Sequence, residues 1–130
     1  MNQREFTRVR TRIPVDIEHA GGRIEGSTQD ISLNGMFVAT DATLAANMPC
    51  QAVLHIDGRG GAIVIRANGA VIRSLSGGIA IHFNELVELD SYEHLRNLIL
   101  YNAVDPAQAE QEFDSHLGLK RADPGASPPG

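Results

Sequence analysis

The sequence predicts a mainly β protein, an antiparallel barrel or sandwich of six or more short strands that is followed by helix. Glycine-rich turns separate short β-rich runs before residue 85, and helical periodicity appears only after it. The chain has 130 residues, of which 42% are hydrophobic and only 5% aromatic. One modest core of mainly aliphatic side chains follows from this composition, and the pattern favours a β-barrel with a C-terminal helical appendage.

The first predicted strands follow from alternation and from turn signals. Residues 13–18 alternate apolar and polar side chains with period two, which is the pattern of a half-buried strand. Paired glycines at 21–22 predict a hairpin turn, and a second strand runs over about residues 23–30. The Asn-Gly turn at 34–35 precedes another β-rich run at residues 36–40.

Later strands are predicted in the same way. Strand character resumes at residues 51–57, and the glycine-rich residues 58–61 give the strongest hairpin signal of the chain. Residues 62–73 are long for one strand, so the Asn-Gly pair at 68–69 predicts a bulge or a sharp bend. A further alternating strand follows at residues 79–83.

Beyond the barrel, apolar residues fall at three- and four-residue steps, which is the stripe of an amphipathic helix. The stripe consists of Leu86, Leu89, Tyr92, Leu95, Leu98 and Ile99. Asp90 or Ser91 can cap this helix, and Pro106 opens a second short helix to about residue 117. The end of the chain is rich in proline and glycine and predicts disorder.

These patterns divide the chain into four parts. They are a flexible arginine-rich arm at 1–12, the barrel with its helix at 13–104, a short helical extension at 105–118 and a disordered tail at 119–130.

Charge is distributed unevenly along the chain. The net charge of −5 argues against DNA or RNA binding, which needs a broad basic surface. Residues 1–12 nevertheless carry four arginines against one glutamate, whereas residues 85–114 carry eight acidic residues against one arginine. Ten of the eleven basic residues are arginine, whose planar fork suits phosphate or guanine; a GC-rich genome would explain the same bias.

Nothing in the sequence indicates an enzyme. The five histidines are scattered without metal-ligand spacing, His82 is predicted to face solvent on a strand, and Cys50 has no histidine near it in sequence. Glycine-rich nucleotide motifs are missing, as are an apolar signal core and a membrane-spanning stretch. We therefore expect a cytoplasmic protein without catalytic residues, cofactor or metal.

Two short motifs stand out from this background. Arg4 and Arg8 form an RxxxR pattern before the first strand, and Asp30, Ser32 and Gly35 form DxSxxG at a strand end. Each motif is weak alone, but their order and their positions relative to the strands strengthen them.

With these motifs the chain resembles the PilZ domain family, bacterial receptors of cyclic di-GMP that carry RxxxR followed a strand-pair later by [D/N]xSxxG. The similarity extends over about residues 4–102. Further segments that resemble the family lie, in the same order, at 8–15, 31–38, 69–73, 78–83 and 95–101. The resemblance implies a six-stranded antiparallel β-barrel with a C-terminal helix, and cyclic di-GMP as ligand.

The resemblance also implies the ligand-binding residues Arg4, Arg8, Asp30, Ser32 and Gly35. Arginine forks can bind a phosphate or guanine O6 and N7. Asp30 can accept from guanine N1–H and N2–H or hold an arginine in place, and the Ser32 hydroxyl can reach a phosphate or a base. Gly35 would let the backbone approach the ligand and can take a positive φ.

Three further residues are weaker candidates for ligand binding. Asn34 lies within the second motif, and Arg10 and Arg12 lie just beyond the first. The pair Arg8/Arg12 is an alternative register for RxxxR; Arg4/Arg8 is preferred because the residues after Arg8 match those after the second arginine in the family.

The resemblance implies a receptor that signals by rearrangement. Cyclic di-GMP would order the arm at 1–12 against the barrel and so change the surface offered to an unidentified protein partner. The uneven charge adds a further hypothesis, in which the acidic residues 85–114 hold the arm before the ligand arrives. The sequence departs from the family at two positions. Gln3 replaces an arginine that many members carry, which leaves open whether the chain binds one ligand or an intercalated pair of ligands. Ala80 replaces a glycine that is common in the last strand. The alternative is a ligand-independent adaptor in motility or secretion, while an RNA-binding barrel is disfavoured by charge.

Overall fold

The computed structural model describes residues 6–115. Arg4, the end of the predicted extension and the predicted tail at 119–130 lie outside the described residues. The elements, in chain order, are β1 (Val9–Arg10), β2 (Pro14–His19), β3 (Gly22–Ser32), β4 (Gly35–Ala39), β5 (Pro49–His55), β6 (Val64–Leu75), β7 (Gly78–Leu86), α1 (Leu89–Asn102) and α2 (Pro106–Ser115). Among the described residues, no helix is long and apolar enough to cross a membrane.

Six strands close into an antiparallel barrel, as the sequence predicts. The order around the barrel is β3-β2-β5-β6-β7-β4, and pairing between β3 and β4 completes the circle. Each neighbouring pair is antiparallel. The seventh strand, β1, lies outside the circle and pairs with β3 alone. The predicted fold class is therefore confirmed, with one strand more than the barrel requires.

Strand β3 is long enough to pair with three other strands. Along one edge, its first residues pair with β2 and its last residues pair with β1. Along the other edge it pairs with β4. The pairing with β4 shifts register between Thr28 and Asp30, a bulge that adds Gln29 to this strand. Such a bulge bends the strand and re-aims the side chains beside it.

The segment predicted as a flexible arm contains β1. Val9 lies opposite Ile31 of β3 and is 4% exposed, so the arm contributes a side chain to the core. After β1, the backbone nitrogen of Thr11 donates to the carbonyl of Gln29 at 3.1 Å, and that of Thr28 donates to the carbonyl of Ile13 at 2.9 Å. Residues 9–13 are therefore joined to β3 by hydrogen bonds.

The core is aliphatic, in agreement with the composition. Inward positions of the strands bury Ile, Val, Leu and Ala, and two phenylalanines, Phe83 and Phe113, are the largest fully buried side chains. Phe113 of α2 packs edge-to-face on Tyr92 of α1, with ring centroids 5.7 Å apart. Through this contact and the buried Ala109, α2 packs against α1.

The predicted bulge in the long sixth strand is confirmed. Strand β6 changes register relative to β7 between Asn68 and Gly69. A Cβ on Gly69 would collide with the carbonyl oxygen of His82 on β7, so the position needs glycine for close backbone approach. His82 itself is exposed between the buried Ile81 and Phe83, as its alternation predicts.

The start of α1 differs from the prediction. Leu86 ends β7 and Leu89 is 56% exposed, so the buried stripe begins only at Tyr92. The residue before the helix is Glu88, at φ 76°, and it makes no side-chain cap. Ser91 does not cap the helix either, because its Oγ accepts a hydrogen bond from the backbone nitrogen of Arg66 at 2.9 Å. Docking onto β6 replaces the predicted cap.

Asp16 of β2 is a buried carboxylate held by basic side chains. Arg59 Nη1 lies 2.7 Å from its Oδ1, His55 Nε2 lies 3.0 Å from its Oδ2, and Arg23 Nη1 is 3.9 Å away. Burial alone raises the pKa of Asp16. Hydrogen bonds from Arg59 and His55, and the charges of Arg59 and Arg23, outweigh burial and place this pKa below its usual value of 3.8.

We expect Asp16→Asn to lower the free energy of unfolding by about 2–3 kcal/mol at neutral pH, because charge-assisted hydrogen bonds are lost. A depressed folded pKa stabilises the fold above the unfolded pKa, and this contribution is lost as the pH falls through the folded pKa. The difference between parent and variant should therefore shrink below about pH 4 in urea unfolding series. Glu25→Gln, which changes an exposed carboxylate nearby, should have little effect. An equal difference at pH 7 and pH 3 would contradict this assignment.

Candidate functional site

Arg8 and Asp30 form an ion pair beside β1. Arg8 donates from Nη2 at 2.6 Å and from Nε at 3.0 Å, and both bonds reach the same oxygen, Asp30 Oδ1. Their side chains are 45% and 33% exposed. Asp30 lies on β3 opposite Arg10 of β1, and Arg8 is the residue that precedes β1, so strand pairing brings the two motifs together.

Ser32 and Asn34 build the turn between β3 and β4. Ser32 is fully buried, its hydroxyl donates to Asn34 Oδ1 at 2.8 Å, and it accepts from the backbone nitrogen of Asn34 at 3.3 Å. The carbonyl of Asn34 accepts from the backbone nitrogen of Phe83 at 2.9 Å. Side-chain bonds of this kind are how serine and asparagine stabilise turns. Ser32 therefore stabilises the turn internally, and the backbone of Asn34 joins the turn to β7.

Gly35 has a structural role in the barrel besides the ligand approach that the sequence predicts. It is not among the described glycines with positive φ. A Cβ at Gly35 would collide with the carbonyl oxygen of Ile81 on β7, which pairs with β4 at this point. The predicted positive φ is wrong, and close packing between two barrel strands is what requires glycine here.

A cavity of about 630 Å³ opens next to Asp30. It is lined by Arg10, Thr11, Arg12, Thr28, Gln29 and Asp30. Arg10 and Arg12 are exposed, as is Gln29 of the bulge. The two weaker arginine candidates of the sequence thus share one cavity wall with the aspartate of the second motif.

The predicted site residues do not form one contact network in the structure. Arg8 contacts Asp30, while Ser32 lies two residues beyond Asp30 on β3 and hydrogen-bonds within the turn that follows. Arg4 lies outside the described residues, so the choice between the registers Arg4/Arg8 and Arg8/Arg12 stays a prediction. Arg8 belongs to both registers, and it is the arginine that Asp30 holds.

Two contacts near the site have no signal in the sequence. The backbone nitrogen and the hydroxyl of Thr7 each donate to the carboxylate of Glu112 on α2, at 2.8 Å. The acidic region was predicted to hold the arm, but among the described contacts it does so through a threonine. Glu110 instead pairs with Arg96 at 2.7 Å. Thr7 and Glu112 are 105 positions apart, beyond the reach of any local pattern.

Other chemistry-bearing residues lie apart from this site. Cys50 is buried and burial raises the pKa of its thiol, which is the opposite of an activated nucleophile. Within residues 6–115, no three His, Cys, Asp or Glu side chains are grouped so that they could hold a metal ion.

Comparisons with known proteins agree with the fold. The inhibitor of motility MotI/DgrA of Bacillus subtilis superposes with a TM-score of 0.62 at 13% identity, over 89% of this chain and 54% of its own. The chain thus spans about half of that protein's length. The PilZ domain of CeSA from a cellulose-synthesizing bacterium superposes with a TM-score of 0.53 at 22% identity, over 72% of this chain and 95% of its own. No curated protein sequence matches.

At such identities the two structures establish the fold alone. The sequence profile of the PilZ domain matches residues 2–101, which covers both motifs, the whole barrel and nearly all of α1. The chain belongs to the PilZ family.

Proposed function

We propose that the chain is a cytoplasmic cyclic di-GMP receptor, without catalysis, that signals to a protein partner by rearranging its N-terminal segment. PilZ domains as a family bind cyclic di-GMP and act as ligand-binding adaptors. The observation that carries the proposal for this chain is the Arg8–Asp30 ion pair, whose aspartate lines an open cavity. It joins the two motifs of the family at one place.

The ion pair is suited to exchange its partners for a ligand. Half-exposed pairs contribute only about 0–1 kcal/mol, so separating Arg8 from Asp30 costs little. Arg8 would then bind a phosphate or the guanine O6 and N7 edge with both arms of its fork. Asp30, freed from the arginine, would accept from guanine N1–H and N2–H. Arg4 would add a second fork, and the turn formed by Ser32, Asn34 and Gly35 would present its backbone to the ligand.

The link between Thr7 and Glu112 gives this binding event a route to the helices. Thr7 directly precedes Arg8, so any movement of Arg8 toward a ligand strains the two hydrogen bonds to α2. Helix α2 rests on α1 mainly through Phe113 and Ala109. The N-terminal segment and the exposed face of α2 together form the surface that we propose a partner protein reads.

A ligand-independent adaptor is the second candidate, and one observation favours it. Ser32 bonds within the β3–β4 turn, the Asn34 carbonyl bonds to β7, and Gly35 lets β4 and β7 approach closely. The second motif therefore has a structural use of its own. Under this alternative, partner binding would proceed in the absence of any nucleotide.

We expect Arg8→Ala to weaken cyclic di-GMP binding by at least about tenfold, because a charge-assisted, forked contact is lost. Isothermal titration calorimetry would measure the affinity. Arg23→Ala is the matched control, since Arg23 lies on the same β3 but roughly 23 Å from Asp30 along the strand. An affinity within twofold of the parent for Arg8→Ala would refute the proposed site. No heat with the parent protein would favour the adaptor.

We expect Glu112→Ala to tighten cyclic di-GMP binding by about fivefold at low salt, because loss of the Thr7 hydrogen bonds releases the segment that the ligand must reorder. Glu110→Ala removes an equal charge on the same helix, where the carboxylate binds Arg96, and should leave the affinity unchanged. If both variants bind as the parent does, Glu112 does not restrain the segment.

A further inference from the structure

Three arginines alternate along the segment that begins just before β1. Arg8, Arg10 and Arg12 are exposed, whereas Val9 and Ile13 between and after them are buried. Alternate residues of an extended chain lie on one face about 7 Å apart, so the three cations span about 13–14 Å. We call Arg8, Arg10 and Arg12 the arginine row.

Within residues 6–115, only the first member of the arginine row has an acidic partner. Arg8 binds Asp30, but the side chains of Arg10 and Arg12 make no ion pair or hydrogen bond with any residue of 6–115. Among the other arginines of residues 6–115, Arg23, Arg59 and Arg96 have carboxylate partners, whereas Arg66 and Arg73 have none. What distinguishes Arg10 and Arg12 is that both line the same cavity. Two adjacent unpaired guanidiniums on one cavity wall are a site for anions.

The backbone that carries Arg10 and Arg12 is already fixed. Arg10 lies in β1 opposite Asp30, and Arg12 lies between two anchors to β3, at Thr11 and Ile13. Below them, the hydroxyls of Thr11 and Thr28 are 2.7 Å apart, and Thr28 also accepts from the nitrogen of Ile13 at 2.9 Å. A ligand would therefore order only side chains at this place, which lowers the entropic cost of binding.

The cavity has the size and polarity for a nucleotide-sized group. Its volume of about 630 Å³ lies within the roughly 300–1,000 Å³ that is usual for small-molecule pockets. Gln29, which the bulge adds to β3, brings an amide that can donate to a phosphate or a base. The arginine row is too short to bind along a nucleic-acid strand, and the net charge of −5 disfavours binding of such a polyanion.

We propose that Arg10, Arg12 and Gln29 form a second anion subsite, contiguous with the Arg8–Asp30 pair, that binds a phosphodiester of a guanine dinucleotide. The proposal rests on the proposed function, since it extends the same ligand site. Two sources of the phosphodiester share this chemistry: the far phosphate of the cyclic di-GMP held by Arg8, or a phosphate of a second cyclic di-GMP molecule stacked on the first. They differ in the number of ligands per chain.

Calorimetric titration of cyclic di-GMP into the parent and into the double variant R10Q/R12Q tests the subsite. We expect the variant to lose about tenfold or more in affinity or one ligand per chain, and to show a weaker salt dependence, because two charged contacts are absent. If the parent binds one ligand per chain and the variant binds it more weakly, the subsite binds the far phosphate of that ligand. A fall from two ligands to one assigns a second molecule.

Two controls separate the subsite from the fold and from the proposed function. The double variant R10K/R12K keeps both charges but loses the forks, so it should retain the salt dependence and bind with intermediate affinity. All these side chains are exposed, so thermal unfolding should match the parent. If R8A loses binding while R10Q/R12Q retains the affinity, stoichiometry and salt dependence of the parent, the subsite is refuted alone. No binding by the parent refutes the proposed function and the subsite with it.

Discussion

Pairing between β3 and β4 closes the barrel, and the arrangement around Asp30 depends on it. Strand β3 is held by β4 along one edge, which leaves the other edge for β2 and, further on, for β1. The bulge at Gln29 lies where these partners change. It places an extra polar residue beside Asp30 and the cavity. The position of the arginine row is set on the other edge of β3, by pairing with β1 and by the bonds at Thr11 and Ile13.

The two motifs combine residues with different physical tasks. Ser32 and Gly35 lie within the barrel, where one bonds a turn and the other lets two strands approach. Arg8 and Asp30 lie at the rim, half exposed, in a pair that separates at little cost. The motifs thus combine a buried, structural part with an exposed ion pair that can exchange partners.

Local patterns predicted the barrel, the bulge at Asn68-Gly69 and the stripe from Tyr92, because each depends on neighbours within a few residues. Local patterns could not predict which side chains from other elements cover each face of a strand. Asp16 occupies the polar position of an alternating strand, yet side chains from β5, from the following loop and from β3 bury it. Contacts across the fold, such as Thr7 with Glu112, leave no local trace. The family resemblance predicted the site residues, but the structural reason for Gly35 required the position of β7.

Barrel closure removes free strand edges, and β1 restores one at the outer side of β3. A free edge offers backbone donors and acceptors to any other extended chain, and natural sheets protect such edges with charged side chains. Arg8, Arg10 and Arg12 flank and occupy this short edge. Their mutual repulsion with a second copy of the same edge opposes chain-to-chain pairing. We therefore expect the same cations that we propose bind a phosphate to disfavour edge-to-edge association between copies of the chain.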